Sequence, residues 1–207
     1  MTLAVSGSTA PELVTALGDA QRLGFLGARP IPDVIAHARG FVRALRAHAE
    51  VDTVLDLGAG GGVPGLVVAH DLPDLQVTLL DRRAKRTDFL ERVVRRLGWG
   101  DRVSVICADV ESFVPSDPFD AVVARGFGPP EYTLTAARRL VRDGGPMVIS
   151  EPPGADRWDE DVLVQLGVRR VPMAATTPIG TALPDTPHQV PESSGDLDGL
   201  VAVFVTR

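Results

Sequence analysis

The sequence predicts an α/β fold in which a mostly parallel β-sheet carries helices on both faces. From residue 51 onward, short apolar runs of strand length alternate with stretches of helical periodicity, which is typical of a parallel sheet. Directly behind the first of these runs, five glycines fall within twelve residues, LDLGAGGGVPGL at 55–66. Such a turn between a strand and a helix is typical of a ligand site at the carboxyl edge of the sheet.

The N-terminal part of the chain predicts two helices ahead of the sheet. Residues 1–9 are expected to be disordered, and helical patterns follow at about 10–24 and about 32–48. The second begins with Pro32 at a position suited to the first turn of a helix. Its apolar residues form one stripe, which comprises Val34, Ile35, Phe41, Val42 and Leu45. We expect residues 1–50 to form a helical cap that packs on a main domain of residues 51–207.

Seven strands are predicted after the cap. They cover residues 51–57, 76–81, 103–109, 119–126 and 146–150, and lie near 168–172 and 200–206. The helical patterns between them cover 63–72, a long helix ending with ERVVRRLGW at 91–99, 130–140 and 156–166. Residues 174–198 are rich in Pro, Ser, Thr and Gly without periodicity, which predicts a long loop or a mobile lid.

Composition narrows the class of protein. A chain of 207 residues suffices for one well-buried core. It has no signal-peptide pattern and no apolar run near eighteen residues, so we expect neither secretion nor a membrane span. The one cysteine, Cys107, is expected to be a buried structural thiol and fits a reducing cytoplasm.

Charge is distributed unevenly along the chain. The net charge of −6 argues mildly against a nucleic-acid partner. Residues 82–102 nevertheless carry eight basic and three acidic side chains, whereas residues 143–207 carry four basic and ten acidic ones. A polyanion could meet the first region and would be repelled by the second. The alternative is that the basic residues form the solvated face of an amphipathic helix.

The residues around the glycines discriminate between ligands. A phosphate loop needs Lys-Ser/Thr after its last glycine, but Val63-Pro64 stands there. Pro64 also removes an amide donor that a pyrophosphate would use, so a dinucleotide is disfavoured. Asp81 ends the second strand, 21 positions beyond Gly60, where an acid can grip ribose hydroxyls.

A carboxylate also follows or ends each neighbouring strand. Asp109 ends the third strand and could accept a hydrogen bond from an exocyclic amino group, although Asp81 and Asp109 could instead be helix N-caps. Together with Asp56 they place three carboxylates at three successive strand ends. This arrangement suits a cofactor that is positively charged and lacks phosphate, which is S-adenosylmethionine. No metal is expected.

These residues resemble a known family. LDLGAGGGVPGL, followed by LQVTLLDRRAKRTDFLERVVRRLG and by Arg125-Gly126-Phe127, is similar to the bacterial methyltransferases G that act on guanine N7 of small-subunit (16S) rRNA, also called glucose-inhibited division protein B. The resemblance implies a class I S-adenosylmethionine-dependent methyltransferase fold. It implies a cofactor pocket that includes Gly58, Val63, Asp81, Val110, Glu111 and Arg125, to which the strand-end argument adds Asp56, Gly60 and Asp109.

The chain departs from the family pattern in the half expected to bind RNA. His37 matches the family's helix-borne histidine, but Gly40-Phe41 replaces an Asp-Ser pair and Glu151 begins a segment where the family carries Lys-Gly. The basic C-terminal tail is also missing. Two alternatives therefore stay open: a methyltransferase for a small-molecule acceptor held under loop 174–198, and a non-catalytic relative that binds cofactor.

The predicted acceptor chemistry follows from what the site lacks. Guanine N7 carries an exposed lone pair and loses no proton on methylation, so a site without an evident general base is consistent with it. Arg125, at the end of the fourth strand, is predicted to contact the cofactor and the acceptor, unless it merely pairs with an acid such as Asp120. The predicted function is therefore N7 methylation of a guanine in small-subunit rRNA, in the cytoplasm.

Overall fold

The computed structural model describes residues 11–48, 50–152, 157–171 and 201–206. The predicted disordered start at 1–9 and the predicted loop at 174–198 lie outside this part of the chain. Six helices and seven strands are formed within it. The helices are α1 (Pro11–Arg22), α2 (Ile31–Arg46), α3 (Gly65–Asp71), α4 (Ala84–Arg96), α5 (Pro130–Leu140) and α6 (Glu160–Gln165). The strands are β1 (Thr53–Leu57), β2 (Gln76–Asp81), β3 (Val103–Cys107), β4 (Ala121–Ala124), β5 (Pro146–Ser150), β6 (Val168–Val171) and β7 (Val201–Thr206).

The strands form one sheet in the order β3-β2-β1-β4-β5-β7-β6. The first five in this order are parallel to one another, and β7 runs antiparallel to both β5 and β6. This confirms the predicted seven-stranded, mostly parallel sheet. The order reverses between β1 and β4, and in such sheets the ligand crevice lies at the carboxyl ends of the strands at this point.

Helices cover both faces of the sheet. The apolar residues of α1, α2, α3 and α4 join one core cluster with one face, and those of α5 and α6 join a second cluster with the other. Phe41 is fully buried in the first cluster, as its place in the predicted apolar stripe of α2 requires. The linker from α1 to α2 packs over the glycine-rich turn, because a Cβ atom on Gly61 would come within 3.0 Å of the Phe25 carbonyl oxygen.

The position of Cys107 corrects one prediction. The expected buried thiol is exposed, because β3 is the edge strand of the sheet and Cys107 is its last residue. An edge strand has a neighbouring strand on one side only, so the last residue of β3 is open to solvent on the other. Within the described ranges, no helix is both long and apolar enough to cross a membrane.

Candidate cofactor and acceptor site

The glycine turn, Gly58–Gly62, follows β1 and folds back over the end of β2. The amides of Gly58 and Ala59 both donate to the Leu80 carbonyl at 2.9 Å, and the amide of Gly62 donates to the Ala59 carbonyl at 2.7 Å. The amide of Gly60 donates to a carboxylate oxygen of Asp81 at 2.9 Å. These amides therefore form hydrogen bonds within the protein and are not free to bind a phosphate. This agrees with the sequence argument against a phosphate ligand.

Asp81 is the hub of this arrangement. Its Oδ1 accepts from the Arg83 amide at 2.9 Å, and its Oδ2 accepts from the Gly60 amide and, at 3.4 Å, from the Arg86 guanidinium. A carboxylate offers about four acceptor positions, so these bonds hold Asp81 in place and leave room for a further donor. Asp81 is not the N-cap of α4, which is Arg83, but its bond to the Arg83 amide orients the start of that helix, and Asp81 also lines the cavity described next.

A cavity of about 380 Å³ opens at the carboxyl ends of β1, β2, β3 and β4. This size is within the range of small-molecule sites. Its carboxylate side consists of Gly58, Leu80, Asp81, Arg82, Arg83, Arg86, Ala108, Asp109 and Val110. Its aromatic side consists of Gly126, Phe127, Gly128, Pro129 and Tyr132.

The structure brings four of the predicted cofactor residues together around this cavity, namely Gly58, Asp81, Asp109 and Val110. Asp109 lies just beyond β3, half exposed, and accepts from the Glu111 amide at 3.1 Å. Glu111 is exposed and its carboxylate is 3.5 Å from the Tyr132 hydroxyl. Glu111 therefore does not line the cavity itself but lies beside Tyr132, which does.

Val63 and Gly60 are not among the residues that line this cavity. Val63 is 3% exposed and belongs to the core cluster under α1–α4, so its side chain supports the turn from below. Gly60 acts through its backbone amide on Asp81. Gly60 has a φ of 56°, a left-handed conformation that favours glycine.

The aromatic side is built from two stacked rings. Phe127 and Tyr132 lie with centroids 5.6 Å apart and ring planes 11° from parallel. Phe127 also lies directly on the glycine turn, because a Cβ atom on Gly58 would come within 2.5 Å of the Phe127 Cδ2 atom. Sequence reasoning missed Tyr132, since its approach to Phe127 depends on the path of the Gly128-Pro129-Pro130 loop, which spacing alone does not reveal.

Asp56 lies beneath the turn rather than in the cavity. It is fully buried, its Oδ2 accepts from the Gly65 amide at 2.7 Å, and its Oδ1 has no hydrogen-bond partner within the described ranges. Burial raises the pKa of Asp56 from 3.8 to about 7, against the opposing effects of the Gly65 bond and of nearby Arg125. Gly65 must be a glycine here, because a Cβ atom would come within 2.5 Å of the Asp56 carboxylate.

Arg125 stands at the carboxyl end of β4, partly buried, and forms no hydrogen bond or ion pair with the part of the chain that the structure describes. Burial lowers its pKa, which Asp56 raises and Arg29 lowers further. The alternative partner Asp120 is occupied elsewhere, since it binds the Arg142 guanidinium at 2.8 Å and the Thr53 amide and hydroxyl. Arg125 is therefore a partly buried cation whose donors are not used by the described residues.

His37 faces this arginine from α2. Burial lowers the pKa of His37, and the charges of Arg125 and Arg29 lower it further. Its Nδ1 atom is buried without a hydrogen-bond partner among the described residues. A neutral imidazole, two guanidinium groups and a buried carboxyl thus interact electrostatically beside the carboxyl ends of β1 and β4.

The departures from the family pattern have structural explanations. Gly40 is buried on α2 and its neighbour Phe41 is in the core. Glu151 is a structural anchor, because its carboxylate binds the Trp158 indole nitrogen and, at 3.0 Å, the Arg170 guanidinium. Among the residues described, no group of three or more His, Cys, Asp and Glu side chains could hold a metal ion.

Comparison with known sequences shows which family the region around the site resembles. A family model described as rRNA small subunit methyltransferase G matches residues 20–152. The ribosomal RNA small subunit methyltransferase G of Chromobacterium violaceum is 38% identical over 115 residues, which cover 56% of this chain and 54% of that protein. The protein of the same name from Rhizorhabdus wittichii is 44% identical over 89 residues, 43% of this chain and 41% of that protein. The chain spans about half the length of the curated relatives it matches.

Solved structures share the fold. A SAM-dependent methyltransferase from Geobacter sulfurreducens, in complex with S-adenosyl-L-homocysteine, is 25% identical with a TM-score of 0.51, covering 67% of this chain and 65% of that one. Cofactor-bound Rv0187 from MTB is 19% identical with a TM-score of 0.59, covering 99% of this chain and 93% of that one. The class I methyltransferase fold predicted from the sequence is thereby confirmed.

Proposed function

Because the chain belongs to the rRNA small subunit methyltransferase G family, we propose that it is an S-adenosylmethionine-dependent methyltransferase that acts on N7 of a guanine in small-subunit rRNA. The single observation that carries this proposal is the cavity at the carboxyl ends of β1–β4, lined on one side by Asp81 and Asp109 and on the other by stacked aromatic rings. The reaction takes place in the cytoplasm. Residues 1–50 cap a catalytic domain of residues 51–207.

The residues of the carboxylate side fit S-adenosylmethionine. Asp81 is held in the cavity by backbone amides and retains acceptor capacity for ribose hydroxyls. Asp109 is a half-exposed carboxylate at the next strand end, and Val110 adds an apolar wall beside it. A ligand without phosphate needs few amide donors, which agrees with a turn whose amides are bonded internally.

When bound, the cofactor supplies an electrophilic methyl group on a sulfonium sulfur. Asp81 and Asp109 would hold this cofactor, which would supply its methyl group to the lone pair of guanine N7. No proton leaves the acceptor, so no general base is needed. The protein aligns the two reactants and excludes water.

The residues beside the cavity can perform this alignment. Arg125 stays protonated at neutral pH and its planar guanidinium can donate two parallel hydrogen bonds. Guanine O6 and N7 are acceptors, and O6 remains available when N7 is methylated. Neutral His37 adds no positive charge next to an acceptor that becomes cationic. Phe127 offers a flat face for a base beside the glycine turn.

The test is a nucleoside-level mass comparison of small-subunit rRNA from a wild-type strain and a deletion strain. The proposal predicts loss of one 7-methylguanosine in the deletion strain and its return with the wild-type gene. The Arg125→Lys gene, expressed to the same level, should not restore it, whereas an Arg138→Lys control should. An unchanged nucleoside profile would contradict the proposal and direct attention to a small-molecule acceptor.

A further inference from the structure

A basic groove continues from the cavity along the side of α4. Arg83 and Arg86 line the cavity and also a second concavity, which includes Phe25 and Lys85. Leu23, which follows α1, lines this second concavity and a third one farther along α4. The third is lined by Asp19, Arg22, Leu23, Phe89, Arg92, Val93 and Arg96. We call this continuous path between the end of α1 and α4 the α1–α4 groove.

Three cations form a stripe along the groove. Lys85, Arg92 and Arg96 are seven and then four residues apart on α4. At about 100° per residue these positions lie within roughly 40° of one another around the helix. With a rise of about 1.5 Å per residue, the stripe extends over roughly 16 Å. A stripe of this length suits an extended chain of negative charges better than a single small anion.

Part of the positive charge along the groove is not neutralised by the residues that the structure describes. Arg83, Lys85 and Arg92 form no ion pair with any residue that the structure describes. Asp88 stands one turn before Arg92 on α4, yet no ion pair joins them. The other three cations of the groove are paired, since Arg22 and Arg96 contact Asp19 and Arg86 lies 3.4 Å from Asp81. Asp81, which lines the cavity, is already bonded to Arg86 and to the Gly60 and Arg83 amides, so it does not neutralise the stripe.

The floor of the groove is apolar. Leu23 is 54% exposed, although burial of a leucine side chain is favourable in free energy. Phe89 and Val93 lie beside it on the lining of the same concavity. A surface with cationic edges and an apolar floor matches a nucleic-acid strand, whose phosphates meet the cations while sugars and base faces cover apolar groups.

We propose that the α1–α4 groove binds the sugar-phosphate backbone of a single-stranded RNA segment next to the acceptor base. That the RNA is small-subunit rRNA rests on the proposed function, whereas the binding of a single strand rests on the groove alone. The groove opens into the cavity through Arg83 and Arg86, so a strand lying in it would lead its base toward Phe127.

The experiment compares two triple variants with the same change in charge. Lys85→Gln/Arg92→Gln/Arg96→Gln removes the stripe. Arg46→Gln/Arg138→Gln/Arg169→Gln removes three cations elsewhere, on α2, α5 and β6. Binding of a short fluorescein-labelled single-stranded RNA is measured by anisotropy over a salt series. Cofactor affinity by calorimetry and thermal unfolding are measured on each protein.

The stripe variant should lose about 0.7 per phosphate contact from the slope of log affinity against log salt, and therefore about 2 in total. Near 0.1 M salt this corresponds to a loss of roughly a hundredfold in RNA affinity. The control variant should keep the wild-type slope, and both should keep cofactor affinity. Arg92→Gln alone should cost about fivefold, which preserves the test if the triple variant unfolds.

The outcomes separate the groove from the methyl-transfer reaction. If wild-type protein methylates small-subunit rRNA but the stripe and control variants bind RNA alike, the groove proposal is wrong and the proposed function stands. If RNA binding depends on the stripe but no rRNA is methylated, the groove stands and the function is wrong. Wild-type protein that binds no single-stranded RNA, or binds it independently of salt, overturns the groove.

Discussion

The two sides of the cavity hold their polar groups in different ways. On the carboxylate side, Asp81 is bonded to two backbone amides and to Arg86, and the glycine turn bonds to β2 through its own amides. On the aromatic side, Phe127 and Tyr132 stack on each other. Arg125, at the base of that side, has no hydrogen bond or ion pair in the described portion of the chain.

This difference indicates that the two sides of the cavity bind different molecules. Groups that are bonded within the protein are preorganised, and a ligand that meets them finds a fixed geometry. Groups that retain donors or open faces can adapt to a second molecule that arrives after the first. The carboxylate side is therefore suited to a resident cofactor and the aromatic side to a variable acceptor. Changes on the two sides should consequently differ in which measurement they affect.

The largest effect is expected at Asp56, beneath the carboxylate side. Its pKa is about 7 in the folded protein and 3.8 as the ordinary value, so between these pH values the folded state binds one more proton than the unfolded state. The free energy of unfolding should then fall by up to about 1.4 kcal/mol per unit as pH rises through this window. Asp56→Asn has no proton to lose and should remove this component of the slope.

Urea denaturation at a series of pH values between about 4 and 8 measures the difference. The variant should gain stability relative to wild type as pH rises and gain nothing below the window. Asp88→Asn, at an exposed position on α4, serves as the control and should follow the wild-type profile. Parallel profiles for Asp56→Asn and wild type would show that Asp56 is ionised in the folded protein throughout.

On the aromatic side, Arg125→Lys keeps the charge but loses the planar fork. If Arg125 orients the acceptor, turnover should fall by about a hundredfold, comparable to the loss of one hydrogen-bond donor at a reacting centre. Thermal stability should change little, because Arg125 has no bonded partner among the described residues. Full methyl transfer by the variant on small-subunit rRNA would show that the arginine is structural.

On the carboxylate side, Asp81→Ala should weaken S-adenosylmethionine binding by about tenfold or more, since charge-assisted hydrogen bonds contribute roughly 1.5–3 kcal/mol. The same change removes the acceptor for the Gly60 and Arg83 amides, so some loss of stability should accompany it. Calorimetry on the folded variant, with Asp88→Ala as control, measures the affinity. Unchanged affinity would remove Asp81 from the cofactor site.

The carboxylate side was largely predictable because its determinants are local. A glycine turn after β1, an acid at the end of β2 and an acid after β3 converge once the strands are parallel and adjacent, and the structure places Gly58, Asp81 and Asp109 around one cavity. Val63, which the resemblance implies for the cofactor site, does not line this cavity, because its side chain is buried in the core. Cys107 was mispredicted because the position of β3 at the sheet edge is a property of the whole topology.

The aromatic side required the structure. Phe127 was a candidate for base stacking from its place after β4, but the contact between Phe127 and Tyr132 depends on how two prolines turn the chain into α5. The unpaired charge of the α1–α4 groove likewise depends on which acids come within reach of Lys85 and Arg92. A basic run in a sequence does not show which of its cations form ion pairs with acids on other elements and which do not.

The smallest effect is expected at Tyr132, where two substitutions separate the ring from its hydroxyl. The hydroxyl lies 3.5 Å from the Glu111 carboxylate at an exposed position, which is too long for a strong bond, so Tyr132→Phe should bind cofactor within about twofold of wild type. Tyr132→Ala removes the stack with Phe127, and aromatic pairs contribute about 0.5–1.5 kcal/mol. Because this ring lies on the aromatic side, the KM for rRNA should then rise by about two- to twelvefold, while calorimetric cofactor affinity stays within about twofold of wild type. If Tyr132→Ala instead lowered calorimetric cofactor affinity by such a factor and left the KM for rRNA unchanged, the ring would serve the cofactor, and the division between the two sides would be wrong.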